Sequence, residues 1–365
     1  MESISLPETQ TALVQTVYVQ PLELKTIPVP EAIPGSAVIK IVSVPVISYA
    51  HEVLNGSRQY SYTTPLVPGT SGVGRVAALG VDSNSLQIHQ LVWFDSVIRS
   101  GDNHDDIILH SLTGGFTPGS QKLMQDVWRD GAYAEYTRVP LEAVYPLDEE
   151  RLILQLRYKE SDLATIGKYL VPFGGLKDIS TRAGETVIVA PATGGFGGAA
   201  VAVAVAMGAS VIAMGRNETS LAALSETFGG RIKTVKITEK PGGLVDAVLE
   251  TSPPRAAKST ILKSCISALR RRGRMSLMGG IREDAIIPIH RVMHWSWQLK
   301  GKWMYGRDEV FALIKMVETG LLKIGEHGGM QLSGDYEYGE WEKAFDVVSE
   351  NARWYAAVVM KPAAM

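Results

Sequence analysis

Between Val187 and Asn217 the chain reads VIVAPATGGFGGAAVAVAVAMGASVIAMGRN. A stretch this rich in small and apolar residues has few folded uses. It suits a membrane span poorly, because glycine and alanine supply little transfer energy and Gly197, Gly198, Gly208 and Ser210 interrupt it. Read by period, it divides. Residues 187–190 are a short β-branched apolar run, as expected of a strand buried on both faces. Residues 192–198 read as a tight turn, 199–207 as an alanine-rich helix packed closely on a sheet, and 211–214 as a second buried strand. The pattern is a βαβ unit.

The turn, Ala192-Thr193-Gly194-Gly195-Phe196-Gly197, is an AxGxxG variant of the dinucleotide fingerprint. Its glycines let the backbone approach a pyrophosphate, and the following helix offers unpaired N–H groups and a partial positive charge. Thr193, Gly194, Gly195, Phe196 and Gly197 are therefore expected around the pyrophosphate. A glycine-rich packing turn is the alternative. NAD-binding units usually end the second strand on an acidic residue that holds the ribose 2′-hydroxyl. This chain has Gly215-Arg216-Asn217 there. Gly215 leaves room and Arg216 can grip a 2′-phosphate through its guanidinium fork, so NADP(H) is the expected coenzyme. The alternative for Arg216 is an ordinary solvated loop residue.

The 365 residues suffice for two cores, and 45% hydrophobic with 20% charged residues is a globular composition. A net charge of −2 offers no broad basic field for nucleic acid. The N-terminus, MESISLPETQ, lacks the parts of a signal peptide, and Cys265, the one cysteine, cannot build a disulfide framework. A cytoplasmic protein with no membrane partner is expected.

Residues 11–46 alternate apolar and polar positions between proline-rich turns, the texture of a β-rich, partly barrel-like domain. PLVPGTSGVGRVAALG (65–80) reads as a glycine-punctuated hairpin and DGAYAEYTRVP (130–140) as a strand. From about Leu163 strands alternate with helices. GRMSLMGG (273–280) and QLKGKWM (298–304) read as late strands and 308–319 as a helix, after which the tail returns to the first domain.

These pieces, with PATGGFGGAA, RRGRMSLMGG, GKWMYGRDEVFALIKMVETGLL and KAFDVV in that order, resemble the medium-chain dehydrogenase/reductase superfamily, in particular its zinc-independent quinone oxidoreductase and enoyl reductase branches. The resemblance implies an α/β protein: a GroES-like β-barrel catalytic domain (1–162 and 315–365), a Rossmann NADP(H)-binding domain (163–314), and hydride transfer in the cleft between them. It also places Gly279 and Gly280 near the nicotinamide, where a simple turn is the alternative.

Zinc alcohol dehydrogenases of this superfamily carry a cysteine before the first catalytic helix and a His-Glu pair after Pro-Gly. Here the corresponding residues are Ser48, in VISYAHEV, and Thr70-Ser71, in PGTSGVG. A catalytic zinc needs about three cysteine, histidine or carboxylate ligands, and a structural zinc lobe needs four thiolates. Neither metal is expected. The acidic stretch around His104 (Asp102, Asp105, Asp106) reads as a solvated turn rather than a cation loop. His290 and His294, with Trp295 and Trp297 beside them, read as packing near an interface, and RRGR (271–274) as a solvated helix end.

Without zinc, an isolated carbonyl lacks its polarising partner. A conjugated acceptor needs less, since hydride adds at the β carbon while charge spreads to a distant oxygen that one or two hydrogen bonds can hold. An activated C=C bond or a quinone is thus the favoured substrate class. A zinc-independent carbonyl reductase or alcohol dehydrogenase, and a non-catalytic NADPH-binding protein, are the alternatives. By the resemblance, VISYAHEVLNG faces the nicotinamide. Ser48 there can hydrogen-bond the substrate oxygen or the ribose, Tyr49 or His51 can donate a proton to an enolate, and Tyr60 and Tyr62 can line the pocket. Residues 99–130 stand where zinc-bearing relatives keep their metal lobe and are expected to cover the substrate. A homodimer formed by edge-to-edge pairing over 275–304 is also expected.

Overall fold

The computed structural model describes residues 6–239, 242–256 and 259–363. Contacts divide the chain into two units: Met1–Gly167, Gln331–Asn351 and Ala356–Met365 in the first, Lys168–Met330 and Ala352–Tyr355 in the second. The sequence reading had put the second boundary at 314/315. A cut there would split the continuous helix Arg307–Glu318, whose Val310, Leu313, Ile314 and Val317 are buried on one face, so the whole helix stays in the second unit.

In the second unit six strands form one parallel sheet in the order Ile232–Lys236, Ser210–Gly215, Thr186–Ala190, Val245–Glu250, Leu269–Leu277, Gln298–Gly301. Counted along the chain from Thr186–Ala190, this is the order 3-2-1-4-5-6 of doubly wound dinucleotide-binding sheets. Val187, Ile188, Val189 and Ala190 are fully buried, as a central parallel strand requires. Ile188, Met214, Val248, Cys265, Met275 and Trp297 share one core over the sheet. RRGR is not a helix end: Arg271–Arg274 lie within the strand Leu269–Leu277. There Arg274 reaches the Ser180 carbonyl and Glu185, and Arg270 pairs with Asp246. Arg271 donates to the His294 carbonyl (3.1 Å), so three of the arginines in this strand are held by partners across or beyond the sheet.

The first unit is built on a mostly antiparallel sheet: Gln331–Glu337, Ala356–Lys361, Ser36–Pro45, Gly72–Leu79, Leu91–Phe94, Val144–Pro146, with Tyr136–Pro140 also paired to Ser36–Pro45. Only the first pair is parallel. The hairpin expected in 65–80 is instead one strand, Gly72–Leu79, pairing outward on both sides. Its glycines mark close approach rather than a turn, since a Cβ on Gly74 would overlap Ile39.

Residues 99–130 fold into a lobe. The strands Val97–Arg99 and Ile107–Leu109 pair, the helix Pro118–Asp126 follows, and Leu66, Ile98, Ile108 and Met124 form a buried core there. The acidic turn is only partly solvated. Asp106 is buried, accepts from Thr117 and from Asn103 Nδ2 (2.8 Å), and so braces the N-terminus of that helix.

Candidate functional site

The glycine turn has a tight side and an open side. Its helix, Gly195–Ala206, starts earlier than the sequence suggested, with Gly194 as N-cap. The reason is packing: a Cβ on Gly197 would overlap the Pro191 carbonyl oxygen, and one on Gly198 would overlap the Trp354 side chain. Helical residues at these two positions must therefore be glycine. A Cβ on Gly194 would meet nothing within 4 Å. The first-turn amides Gly195–Gly197 thus follow an unobstructed N-cap, the arrangement that receives an anion. Thr193 and Phe196 flank the turn and are partly buried.

At the end of the next strand Gly215 is in contact with Thr193, whose methyl a Cβ would overlap. The room expected at Gly215 for a phosphate is therefore taken by Thr193. Arg216 is exposed and has no hydrogen bond or ion pair among the described residues. Asn217 does something the sequence reading missed. Its Oδ1 accepts from Ser220 N (2.8 Å) and caps the helix Glu218–Phe228, so only the rest of the amide is left for a ligand.

Gly279 and Gly280, after the strand Leu269–Leu277, close on a buried carboxylate. Glu250, 3% exposed, accepts from Ser252 N (2.7 Å) and Gly279 N (3.2 Å), while Gly280 N donates to the Ser252 carbonyl (2.8 Å). Glu250 fastens the C-terminal ends of two neighbouring strands, a position where open α/β sheets bind ligands. No motif pointed to it; an acidic residue closing the apolar strand VDAVLE was the available signal.

Lys168 was also missed. It is the one charge between Leu163 and Leu176 in LATIGKYLVPFGGL. Its Nζ donates to the Trp354 carbonyl (3.2 Å), and its Cε comes within 3.2 Å of where a Cβ on Gly195 would stand. Part of the side chain remains accessible, yet desolvation of the ammonium lowers its pKa to about 8.

In the first unit Ser48 and Tyr49 form the turn that enters the short helix Ala50–Leu54, and His51 is on that helix. Ser48 and His51 are exposed, and Tyr49 is partly buried. The Arg58 guanidinium, absent from the sequence reading, stacks on the Tyr49 ring at 3.9 Å, lies 5.8 Å from the Tyr60 ring and pairs with Glu52 (2.8 Å). Burial holds the Tyr49 hydroxyl well above the usual phenol range. The neighbouring Tyr60, whose ring stands edge-on at 6.4 Å, adds to this, and Arg58 opposes it. Tyr49 is thus a phenol that keeps its proton, next to a cation that eases charge on its oxygen. Tyr62 is used differently: its hydroxyl donates to Gln15 Oε1 (2.7 Å) and its ring stands 5.0 Å from Tyr18, which ties it into the barrel wall. A cavity of about 240 Å³ in the same unit, bordered by Gln125, Arg129, Tyr136 and Arg138, touches none of these residues.

Thr70 and Ser71 are buried, and a Cβ on Gly167 would lie 3.4 Å from Ser71 Oγ. Hydroxyls and a glycine are not a zinc donor set. Among the described residues no group of three or more His, Cys, Asp or Glu is placed to hold a metal. Cys265 lies in the core of the other unit, where burial pushes its thiol up to about 12. His290 and His294 stack at 4.1 Å between ring centroids on an exposed helix, while Trp297 is core, its Nε1 bonded to the Arg270 carbonyl (2.8 Å).

Two family profiles match the chain. "Alcohol dehydrogenase GroES-like domain" covers residues 33–149 and "Zinc-binding dehydrogenase" covers residues 195–319. An alcohol dehydrogenase from Rhizobium meliloti is 28% identical over 298 residues, 77% of this chain and 80% of its own length. Among solved structures, a Sinorhizobium meliloti protein assigned as a zinc-binding dehydrogenase, with NADP bound, aligns at TM-score 0.77 and 18% identity over 98% of this chain and all of its own. An alcohol dehydrogenase from E. coli CFT073 with NADH aligns at 0.77 and 16% identity over 97% of this chain and all of its own. At such identities the likeness is one of fold, and these two neighbours hold different coenzymes. No helix among the described residues is long and apolar enough to cross a membrane.

Proposed function

We propose that this chain, which belongs to the medium-chain dehydrogenase/reductase superfamily through its GroES-like and dinucleotide-binding domains and is an oxidoreductase, uses NADPH to reduce an activated C=C bond or a quinone without zinc. The observation that carries the zinc-independent reading is the donor set: by the resemblance, Ser48, Thr70 and Ser71 correspond to the ligands of the metal-bearing members, and among the described residues no group of three or more His, Cys, Asp or Glu is placed to hold a metal. The profile name alone suggests a zinc enzyme. The side chains present do not fit one.

Arg216, exposed and uncommitted at the end of the second strand, supports NADPH over NADH, because a guanidinium attracts a 2′-phosphate and the strand end Gly215-Arg216-Asn217 itself carries no carboxylate, Glu218 beyond it being paired with Lys236. Thr193–Gly197 would take the pyrophosphate, Gly215–Asn217 the adenosine ribose, and Gly279 and Gly280 the nicotinamide side.

When bound, the coenzyme supplies a hydride. The substrate gains it at the β carbon, and the electron pair of the C=C bond moves toward the carbonyl oxygen. Ser48 donates a hydrogen bond to that oxygen. Tyr49, polarised by Arg58, or the exposed His51 supplies the proton that completes the reduction. Tyr60 lines the pocket as the Tyr49 partner. Tyr62, held by Gln15, shapes the wall.

The test is a substrate panel with metal analysis. NADPH oxidation against enones and quinones, with simple ketones inert and zinc well below stoichiometry, is the expected outcome. Turnover of simple ketones or secondary alcohols at comparable rates would favour the alcohol-dehydrogenase reading that the relatives' names suggest. Tight coenzyme binding with no oxidation would favour a non-catalytic one.

A further inference from the structure

We propose that Lys168, which lies against Gly195, is a coenzyme-binding residue whose ammonium takes the diphosphate of the dinucleotide at the open face of Gly194. This rests on the reading above that the glycine turn holds a dinucleotide.

The starting point is a misplaced charge. The N-terminus of a helix carries about half a positive charge, so cations are favoured at the opposite end. Here a lysine is held against the first residue of the twelve-residue helix Gly195–Ala206. Burial also disfavours its charged form, as the lowered pKa of about 8 records. Dipole and desolvation both work against the ammonium, and both are relieved by an anion arriving at the same place.

The lysine is also aimed. Its Nζ is bonded to the Trp354 carbonyl, and the ring of the same tryptophan packs on Gly198, three residues into the helix. Trp354 Nε1 in turn donates to the Ser220 carbonyl (3.2 Å). The short segment Ala352–Tyr355 thus fixes the lysine and the helix start relative to each other. That arrangement suits a ligand touching both, and a Cβ on Gly194 would find empty space there. Arg216 belongs to the other end of the turn, beyond Gly215 and its contact with Thr193, and answers to a different phosphate.

Dissociation constants for NADPH, NADH and ADP-ribose, together with the thermal midpoint of the coenzyme-free protein, test this in the wild type and in Lys168→Met, Lys168→Arg and Arg216→Ala. Lys168→Met is expected to weaken all three ligands by about 10- to 100-fold, because a charge-assisted contact to the diphosphate is lost from each. The preference between NADPH and NADH should stay within about twofold, since both carry the diphosphate. The coenzyme-free midpoint should hold or rise, and Lys168→Arg should recover most of the affinity. Arg216→Ala should weaken NADPH alone. Wild-type affinities in Lys168→Met would overturn the assignment, as would a fall of several degrees in its coenzyme-free midpoint, which would mark the lysine as structural. A wild-type protein that binds none of the three ligands would overturn the dinucleotide reading itself.

Discussion

Gly194 and Gly198 look alike in the sequence and differ in what surrounds them. Gly198 faces the Trp354 ring, which is buried and bonded through Nε1, so the ring cannot step aside for a methyl. Gly198→Ala gains up to about 1 kcal/mol of helix propensity but meets overpacking of about 1–3 kcal/mol. A net loss of stability, read as a lower urea midpoint, is expected. Gly194→Ala meets empty space, so its stability should change by no more than about 0.5 kcal/mol, while coenzyme affinity falls because the new methyl occupies the ligand's approach. His110 carries a pH dependence. Fully buried in the lobe, its imidazole is lowered to about 4 by desolvation, against a smaller opposing effect of Asp130. The unfolded chain, titrating near 6.5, binds more protons between these values. The contribution of neutral His110 is therefore complete above pH 6.5 and is lost as the pH falls through 4. At most it amounts to about 3 kcal/mol. In His110→Met the same acid range should cost that much less, measured as the wild-type-minus-variant difference in unfolding free energy at pH 7 and pH 4.5.

At the scale of elements, what was legible followed from periodicity and what was not followed from tertiary packing. The strands Thr186–Ala190 and Ser210–Gly215 and the helix Arg307–Glu318 emerged within a residue or two, because burial on both faces or on one stripe writes itself into the sequence. The helix start at Gly195 was hidden, since glycine reads locally as turn while its fit against Pro191 and Trp354 depends on residues far apart in the chain. Gly72 and Gly74 misled for the same reason. In the candidate site, the glycine turn and Arg216 could be found from a motif. Lys168, Arg58 and Glu250 could not, because each matters through a partner brought close only by folding. Residues 99–130 show how a motifless segment becomes an element. Met124 is 1% exposed in a core it shares with Leu66, Ile98 and Ile108. Met124→Ala should cost about 2–5 kcal/mol of local stability. Faster proteolysis and amide exchange confined to residues 97–130 would show it, with the parallel sheet of the second unit unchanged.

For the whole molecule, the question is what covers the end of the parallel sheet. Gln298–Gly301 is its last strand and leaves one row of backbone groups unpaired. Ahead of it in the chain, Ile286, Ile289 and Met293 are 95%, 71% and 65% exposed, an apolar concentration unusual for a surface. An edge lysine normally guards such a strand. Here Lys300 is turned away, its Nζ bonded to the Asp178 carbonyl (2.9 Å) and facing the Asp178 carboxylate. An unguarded edge preceded in the chain by exposed apolar side chains is suited to a second copy of itself, because a two-fold axis can pair two identical strands antiparallel. The expected state is therefore a homodimer, with Trp297 in the core behind the edge rather than in the contact. Light scattering at micromolar concentration should give twice the chain mass. Ile289→Glu combined with Met293→Glu would place four carboxylates near the axis and should give the monomer mass, with coenzyme affinity retained because the glycine turn is on other strands. A wild-type monomer at that concentration would require another cover for these side chains.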